Sequence, residues 1–66
     1  MIKLSQYFAG FFKSYTEELL LDPKYIVSVE DFGDYRTIYI NPYERRVMGY
    51  DVAETIQQIQ DILNGI

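Results

Sequence analysis

The stretch that decides the predicted fold runs from Tyr25 to Ile40 and reads YIVSVEDFGDYRTIYI. Residues 25–30 and 35–40 are rich in β-branched and aromatic side chains, which is typical of strands. The turn between them contains Gly33, which can take the positive φ that a tight hairpin requires. The stretch therefore predicts two antiparallel strands joined by a short connection.

A third strand is predicted directly after this hairpin, over residues 45–50. The intervening segment, residues 41–44, begins Asn-Pro, and proline at the second position favours a type I turn. Because the connections are short, we expect the three strands to form an antiparallel meander.

The segments on either side of the meander carry apolar residues at helical spacing. In residues 4–21 they recur every three or four positions, and Asp22-Pro23 ends the segment because the residue before proline is pushed out of the α region. Residues 52–64 show the same spacing, with Asp51 as the helix cap. We therefore predict two amphipathic helices.

Together these elements predict an α+β fold of order α-β-β-β-α, a three-stranded antiparallel meander with two helices packed on one face. The 66 residues suffice for one domain, so residues 1–66 are expected to form a single domain. A domain of this size buries only about 60% of the surface that its unfolded chain exposes. Because cysteine is absent, the aromatic-rich composition must supply the core, or a second copy of the chain must share it.

Alternation along the strands divides the predicted sheet into two faces. One face is aliphatic and is expected to lie under the helices. The other is expected to be open, and its tyrosine, methionine and arginine residues are types enriched in protein interfaces. The predicted partner-binding residues are Ile26, Tyr35, Thr37, Tyr39, Arg46, Met48 and Tyr50. Two alternatives remain: the tyrosines simply pair across a solvated face, or a one-residue slip in register exchanges the faces.

The residue types that common enzyme chemistry needs are missing. The chain contains no cysteine and no histidine, so serine has no imidazole to activate it and a metal ion has no thiolate or imidazole ligand. The remaining acidic pairs fall at a predicted helix end and a predicted turn, where solvated carboxylates are the ordinary outcome. We therefore expect no enzyme activity, no metal site and no cofactor.

The net charge is −4, from 6 basic and 10 acidic residues. This balance disfavours unspecific attraction to nucleic acid or to an anionic membrane. It also raises the alternative that carboxylates mimic the phosphates of DNA and block a DNA-handling enzyme. The candidate acidic clusters are Glu17, Glu18 and Asp22, and then Glu30, Asp31 and Asp34.

Short motifs suggest two further partners, a membrane and single-stranded nucleic acid. An aromatic run near the N-terminus, which includes Phe11 and Phe12, suggests a membrane, but its spacing fits the core stripe of a helix and we expect no membrane partner. Single-stranded nucleic acid is a further alternative, because Arg36, Arg45 and Arg46 are interleaved with tyrosines.

By exclusion, the sequence favours a small acidic protein-binding module, an accessory or inhibitor protein of the kind found in bacteriophage genomes. The expected partner is another protein. The alternatives are a DNA-mimicking inhibitor, a structural homodimer and a module for single-stranded nucleic acid. The absence of cysteine fits the expectation of a cytoplasmic location.

Overall fold

The computed structural model of the protein describes residues 1–43 and 46–66. Within these residues the chain forms five strands and one α-helix, joined by short connections. The strands are β1 (Ile2–Phe8), β2 (Tyr15–Leu21), β3 (Ile26–Asp31), β4 (Arg36–Tyr43) and β5 (Arg46–Val52). A short 3-10 helix covers Pro23–Tyr25, and the α-helix α1 covers Ile56–Asn64. The strands form one antiparallel sheet in the order β2-β1-β5-β4-β3.

The predicted fold class is wrong, because the sheet has five strands and only one α-helix packs on it. Residues 4–21 form the hairpin β1–β2 instead of a helix. The deciding pattern is the two-residue period at the start of β1, where buried Ile2 and Leu4 flank exposed Lys3. The apparent helical spacing came from joining residues of two strands and of the turn between them.

Glycine allows the turn between β1 and β2 to close. A Cβ atom at Gly10 would overlap the carbonyl oxygen of Lys13, so a side chain there would force the loop open. A glycine that is costly inside a helix is thus required in this hairpin.

The three strands predicted at 25–30, 35–40 and 45–50 are present as β3, β4 and β5. The predicted turn at 41–44 is wrong for its described part, since β4 continues to Tyr43 with a shift in register after Ile40. The rest of that turn and the start of the predicted third strand fall on Glu44 and Arg45. These two residues lie outside the described residues.

The second predicted helix is present but begins later than expected. Val52 belongs to β5, and Thr55 rather than Asp51 caps α1. The side chain of Thr55 accepts a hydrogen bond from the Gln58 amide at 3.1 Å, and the Gln58 side chain accepts one from the Thr55 amide at 2.8 Å. This reciprocal capping box fixes the first turn of the helix.

The core lies on one face of the sheet, which we call the inner face. Its buried side chains are Ile2, Leu4, Leu21, Ile38, Ile40, Val52 and Ile59. Ile59 comes from α1, and Ile62 and Leu63 pack beside it, so the helix covers the core part of this face. No helix in the described part of the chain is long and apolar enough to cross a membrane.

The sheet must curve strongly around this core. Residues 22–25 join the two outermost strands, and the five Cα steps from Leu21 to Ile26 would reach about 19 Å only if fully extended. Pro23–Tyr25 form a 3-10 helix with a rise of about 2 Å per residue, so the connection is well below that length. Four strand spacings of a flat sheet would already require about 19 Å, before any offset along the strands. The face opposite the core, which we call the outer face, is therefore convex.

Candidate functional site

Aromatic side chains cluster on the outer face. In β4, Ile38 and Ile40 point into the core, so Thr37 and Tyr39 point outward. In β1, Leu4 points inward, and the alternation places Tyr7 on the outer face.

Three rings on this face form a continuous series that we call the aromatic stack: Tyr7, Tyr35 and Phe32. The ring centroids of Tyr7 and Tyr35 are 5.4 Å apart with planes at 13°, and those of Tyr35 and Phe32 are 5.3 Å apart with planes at 25°. The stack thus joins β1 to the β3–β4 turn across the intervening β5. Phe32 remains 49% exposed, so the stack presents an aromatic surface to solvent.

Tyr39 lies on the same face, and Thr37 of β4 separates it from Tyr35 of the stack. The Tyr39 hydroxyl donates a hydrogen bond to Glu30 Oε1 at 2.9 Å. This bond, with desolvation and the negative charges of Glu30 and Asp51, raises the pKa of Tyr39 above its ordinary value. The Thr37 hydroxyl donates to Asp51 Oδ1 at 2.7 Å, so two carboxylates are held at this part of the face.

Gly49 of β5 provides space for the Tyr39 ring. A Cβ at Gly49 would lie 3.1 Å from Cγ2 of Thr37 and 3.5 Å from Cε1 of Tyr39. An added Cβ would thus crowd the Thr37 methyl group while only touching the Tyr39 ring. The glycine that weakens the strand leaves room for these two side chains.

The outer face is acidic around the rings. Glu30 and Asp51 lie next to Tyr39, and Glu18 lies further along the face on β2. Lys3 is the only basic residue that the register places on this face among the described strands, and its Nζ is 3.9 Å from a Glu18 carboxylate oxygen. The surface around the rings is thus negative.

Arg36 is not available to a ligand. It is only 7% exposed, and its Nε and Nη2 each donate to a backbone carbonyl at 2.8 Å, those of Glu54 and Ala53. Its Nη1 donates to the Gly33 carbonyl at 2.9 Å and lies 3.4 Å from Asp31. The guanidinium fastens the β3–β4 turn to the loop before α1. The nucleic-acid alternative relied on Arg36 and on Arg45, which lies outside the described residues.

The predicted partner-binding residues are divided between the two faces. Tyr35, Thr37 and Tyr39 lie together on the outer face. Ile26 and Tyr50 pack against the core. Met48 pairs with buried Ile40 on the inner face and is 40% exposed, and Arg46 is exposed at the start of β5.

Two details of pairing explain this division. Alternation along β3 would place Ile26 on the outer face. A register shift between Ile26 and Ser28 turns it to the inner face instead. In β5, Tyr50 lies opposite Ile38 rather than beside Tyr39, so the even-numbered residues face inward. Neither the bulge nor the register of β5 can be recognised from alternation within a single strand.

The first predicted acidic cluster is dispersed. Glu17 and Glu18 are consecutive on β2 and therefore point to opposite faces. Asp22 caps the 3-10 helix by accepting from the Lys24 amide at 3.2 Å, and its carboxylate is 3.7 Å from the Lys24 ammonium.

The second acidic cluster is also divided. Glu30 faces outward, whereas Asp31 accepts a hydrogen bond from the Gly33 amide at 2.9 Å and also contacts Arg36. Asp34 is exposed in the β3–β4 turn. The two clusters do not form a single row of carboxylates.

Sequence reasoning missed three residues of the outer face: Tyr7, Phe32 and Asp51. Tyr7 was assigned to a helix, Phe32 to a turn and Asp51 to a helix cap. The alternation of Ile2 and Leu4 with polar neighbours was the signal that could have placed Tyr7 on a strand.

A cleft of about 340 Å³ lies beside β1 and β2, where Glu54 reaches over from the loop before α1. The Glu54 carboxylate oxygens accept hydrogen bonds from the Ser5 amide at 2.9 and 3.0 Å. The carboxylate thus replaces a strand carbonyl at the point where β5 has ended. The described residues contain no group of three or more carboxylates placed to hold a metal ion.

A scan against models of protein families, a search of curated proteins and a search of solved structures each found no match to this chain.

Proposed function

We propose that this chain is a protein-binding module that contacts a partner protein through its outer sheet face, in an accessory or inhibitory role. The observation that supports this proposal is the aromatic stack, which remains partly exposed on the same sheet face as Tyr39. Stacked aromatic rings offer a large contact area and lose little conformational entropy on binding. Tyrosine is also among the residues that dominate binding energy in protein interfaces.

The charge around the rings indicates what kind of partner surface would fit. Glu30 and Asp51 border Tyr39, while Lys3 is already next to Glu18. A partner that presents arginine or lysine could place these cations over the rings and against the carboxylates. We therefore propose a basic patch on the partner protein.

The same charges disfavour single-stranded nucleic acid as the ligand. Exposed rings can stack bases, but such binding also needs cations along the phosphate backbone. The described part of the outer face is acidic, and Arg36 is committed to backbone carbonyls. A protein partner accounts for both the rings and the charge.

Site-specific photo-crosslinking tests this proposal. A photoreactive phenylalanine analogue at position 39 is expected to capture a partner from cells of the source organism. The matched control carries the same analogue at position 48, on the inner face, where Met48 is 40% exposed. Capture of one protein at 39 and not at 48, followed by binding of that purified protein, is the expected result. Equal capture at both positions, or none at position 39, would contradict the proposal.

A further inference from the structure

The most exposed apolar feature in the described part of the chain is the tip of the β1–β2 hairpin, residues 9–14. Phe11 and Phe12 are each 94% exposed, and their rings meet edge to face with centroids 4.8 Å apart. These residues follow the end of β1, so the tip is separate from the outer face of the sheet. Two phenylalanines this exposed contribute nothing to the core, and an adjacent pair of them is typical of a surface that contacts something outside the fold.

The base of the tip is closed by an aromatic pair. Phe8 and Tyr15 are the last cross-strand pair of the hairpin, and their rings stack with centroids 5.1 Å apart. Gly10 lies so close to the Lys13 carbonyl that the loop admits no side chain at this position. The two phenylalanine rings thus lie at the end of a tightly closed hairpin.

The side chains change in character from the tip towards the sheet. The two phenylalanines come first, followed by Lys13 and by Tyr15, which is 52% exposed. No residue between 8 and 16 is acidic, although the whole chain carries a net charge of −4. This order matches the depth profile of a bilayer, in which apolar rings enter the hydrocarbon edge while tyrosine and lysine remain at the headgroups.

From this arrangement we infer that the hairpin tip inserts into the surface of a lipid bilayer, with Phe11 and Phe12 below the headgroups. A pocket on another protein would also need contacts along the flanks of the tip, where Ala9 and Ser14 offer only small exposed side chains. A bilayer needs none of these contacts. The sequence-based expectation of no membrane partner rested on a helical core stripe and on the net negative charge. The exposed tip removes the first reason, and the second applies to anionic lipid.

The expected binding is weak and reversible. A single acyl chain gives only marginal membrane anchoring, and two rings bury less apolar surface than such a chain. Because the rest of the protein is acidic, anionic lipid is not expected to strengthen binding. Vesicles of phosphatidylcholine, a zwitterionic lipid without net charge, are therefore the appropriate probe.

Tryptophan fluorescence provides a direct test, because the chain contains no tryptophan. The Phe12→Trp variant places the only indole at the tip, and Phe32→Trp places it in the aromatic stack as a matched control. With phosphatidylcholine vesicles, Phe12→Trp is expected to shift its emission to the blue and to be quenched by lipids brominated on their acyl chains. Phe32→Trp is expected to show neither change.

A vesicle sedimentation assay completes the test. The bound fraction of the Phe11→Ser/Phe12→Ser variant is expected to fall by about tenfold or more relative to the unaltered chain. Far-UV circular dichroism should show that this variant keeps its fold, since neither ring belongs to the core.

Three results would overturn the inference. The first is that vesicles leave the emission of Phe12→Trp unchanged. This result counts against the inference even if a captured protein partner does change the emission. Another is a blue shift without lipid that grows with protein concentration, which would indicate that a second copy covers the tip. The third is equal sedimentation of the double variant and the unaltered chain. None of these bears on the outer face, so the two proposals can fail separately.

Discussion

The hairpins β1–β2 and β3–β4 end in turns of opposite character. In the β3–β4 turn, Asp31 holds the Gly33 amide, Arg36 holds the Gly33 carbonyl, and the Phe32 ring stacks on Tyr35. The β1–β2 turn leaves two phenylalanine rings in solvent. Both turns contain glycine and phenylalanine, so composition does not distinguish them. The difference is that contacts with other elements hold the β3–β4 turn and not the tip of the β1–β2 turn. The aromatic rings near the β3–β4 turn are therefore fixed on the sheet, and those at the tip of the β1–β2 turn lie free in solvent.

The largest effect is expected from removing the side chain that fastens the β3–β4 turn. Arg36→Ala removes a buried side chain and leaves the carbonyls of Gly33, Ala53 and Glu54 without their donor, which should lower the free energy of unfolding by about 3 kcal/mol. Urea unfolding measures the change. Lys13→Ala in the free turn is the control, with an expected change below about 0.5 kcal/mol. Similar losses for both variants would show that the two turns do not differ.

The next effect concerns backbone conformation in the fastened turn. Gly33 has a φ of 92°, which side chains rarely adopt, so Gly33→Ala should cost about 1–2 kcal/mol of unfolding free energy. No atom lies within 4 Å of the added Cβ, so the loss would come from the backbone alone. Gly65→Ala at the end of α1, with a φ of −83°, is expected to be nearly neutral in the same thermal or urea assay. A neutral Gly33→Ala would mean that the turn adopts another conformation.

A smaller effect separates the phenylalanines of the two turns. Phe32→Ala removes one ring of the aromatic stack and should lower the free energy of unfolding by about 1 kcal/mol. Phe11→Ala removes a ring that is almost fully exposed and should leave it unchanged within about 0.5 kcal/mol. Chemical denaturation of the two variants side by side checks the difference. A larger loss for Phe11→Ala would indicate that the tip packs within the fold.

The smallest effect is a change in titration on the outer face. Glu30→Gln removes the charge that the Tyr39 hydroxyl faces, so the pKa of Tyr39 should fall towards the ordinary value of about 10. Carbon-13 labelling of the tyrosine rings allows this pKa to be followed by NMR. Glu17→Gln, on the inner face, is the control and should leave the titration of Tyr39 unaltered.

The direction of the Tyr39 pKa shift determines how the free energy of unfolding changes with pH. Folding raises the pKa of Tyr39, so the associated stability is fully present below the pKa of the unfolded chain and is lost as pH rises through the folded-state value. Alkaline unfolding of the unaltered protein should therefore depend more steeply on pH than that of Glu30→Gln. Equal pH dependence in both would show that the hydrogen bond to Glu30 is absent in solution.

Local sequence signals predicted the middle and the end of the chain. The β-branched runs, Gly33 and the stripe of α1 led to β3, β4, β5 and the helix, because each signal acts within a few residues. The hairpin β1–β2 was missed because its place depends on a distant contact, the pairing of Gln6 with Val52. Its aromatic residues at the turn extended an apparent helical stripe, and no local signal outweighed them.

The candidate site was predicted only where it depends on β4. Tyr35, Thr37 and Tyr39 share a face by simple alternation, and alternation is readable from sequence. Met48 and Tyr50 were assigned to that face because the register between β4 and β5 cannot be read from either strand alone. The contribution of Tyr7 could not be foreseen once its segment had been assigned to a helix.

Both proposals require that β1 lies in the sheet and carries Tyr7 to the stack while the tip remains free. Two-dimensional nuclear Overhauser spectroscopy tests this arrangement most directly. It should show contacts of the Tyr35 ring with the rings of Tyr7 and Phe32, and none of these rings should contact Phe11 or Phe12. Contacts between residues three positions apart throughout residues 4–21, with no contact between the Tyr7 and Tyr35 rings, would contradict it.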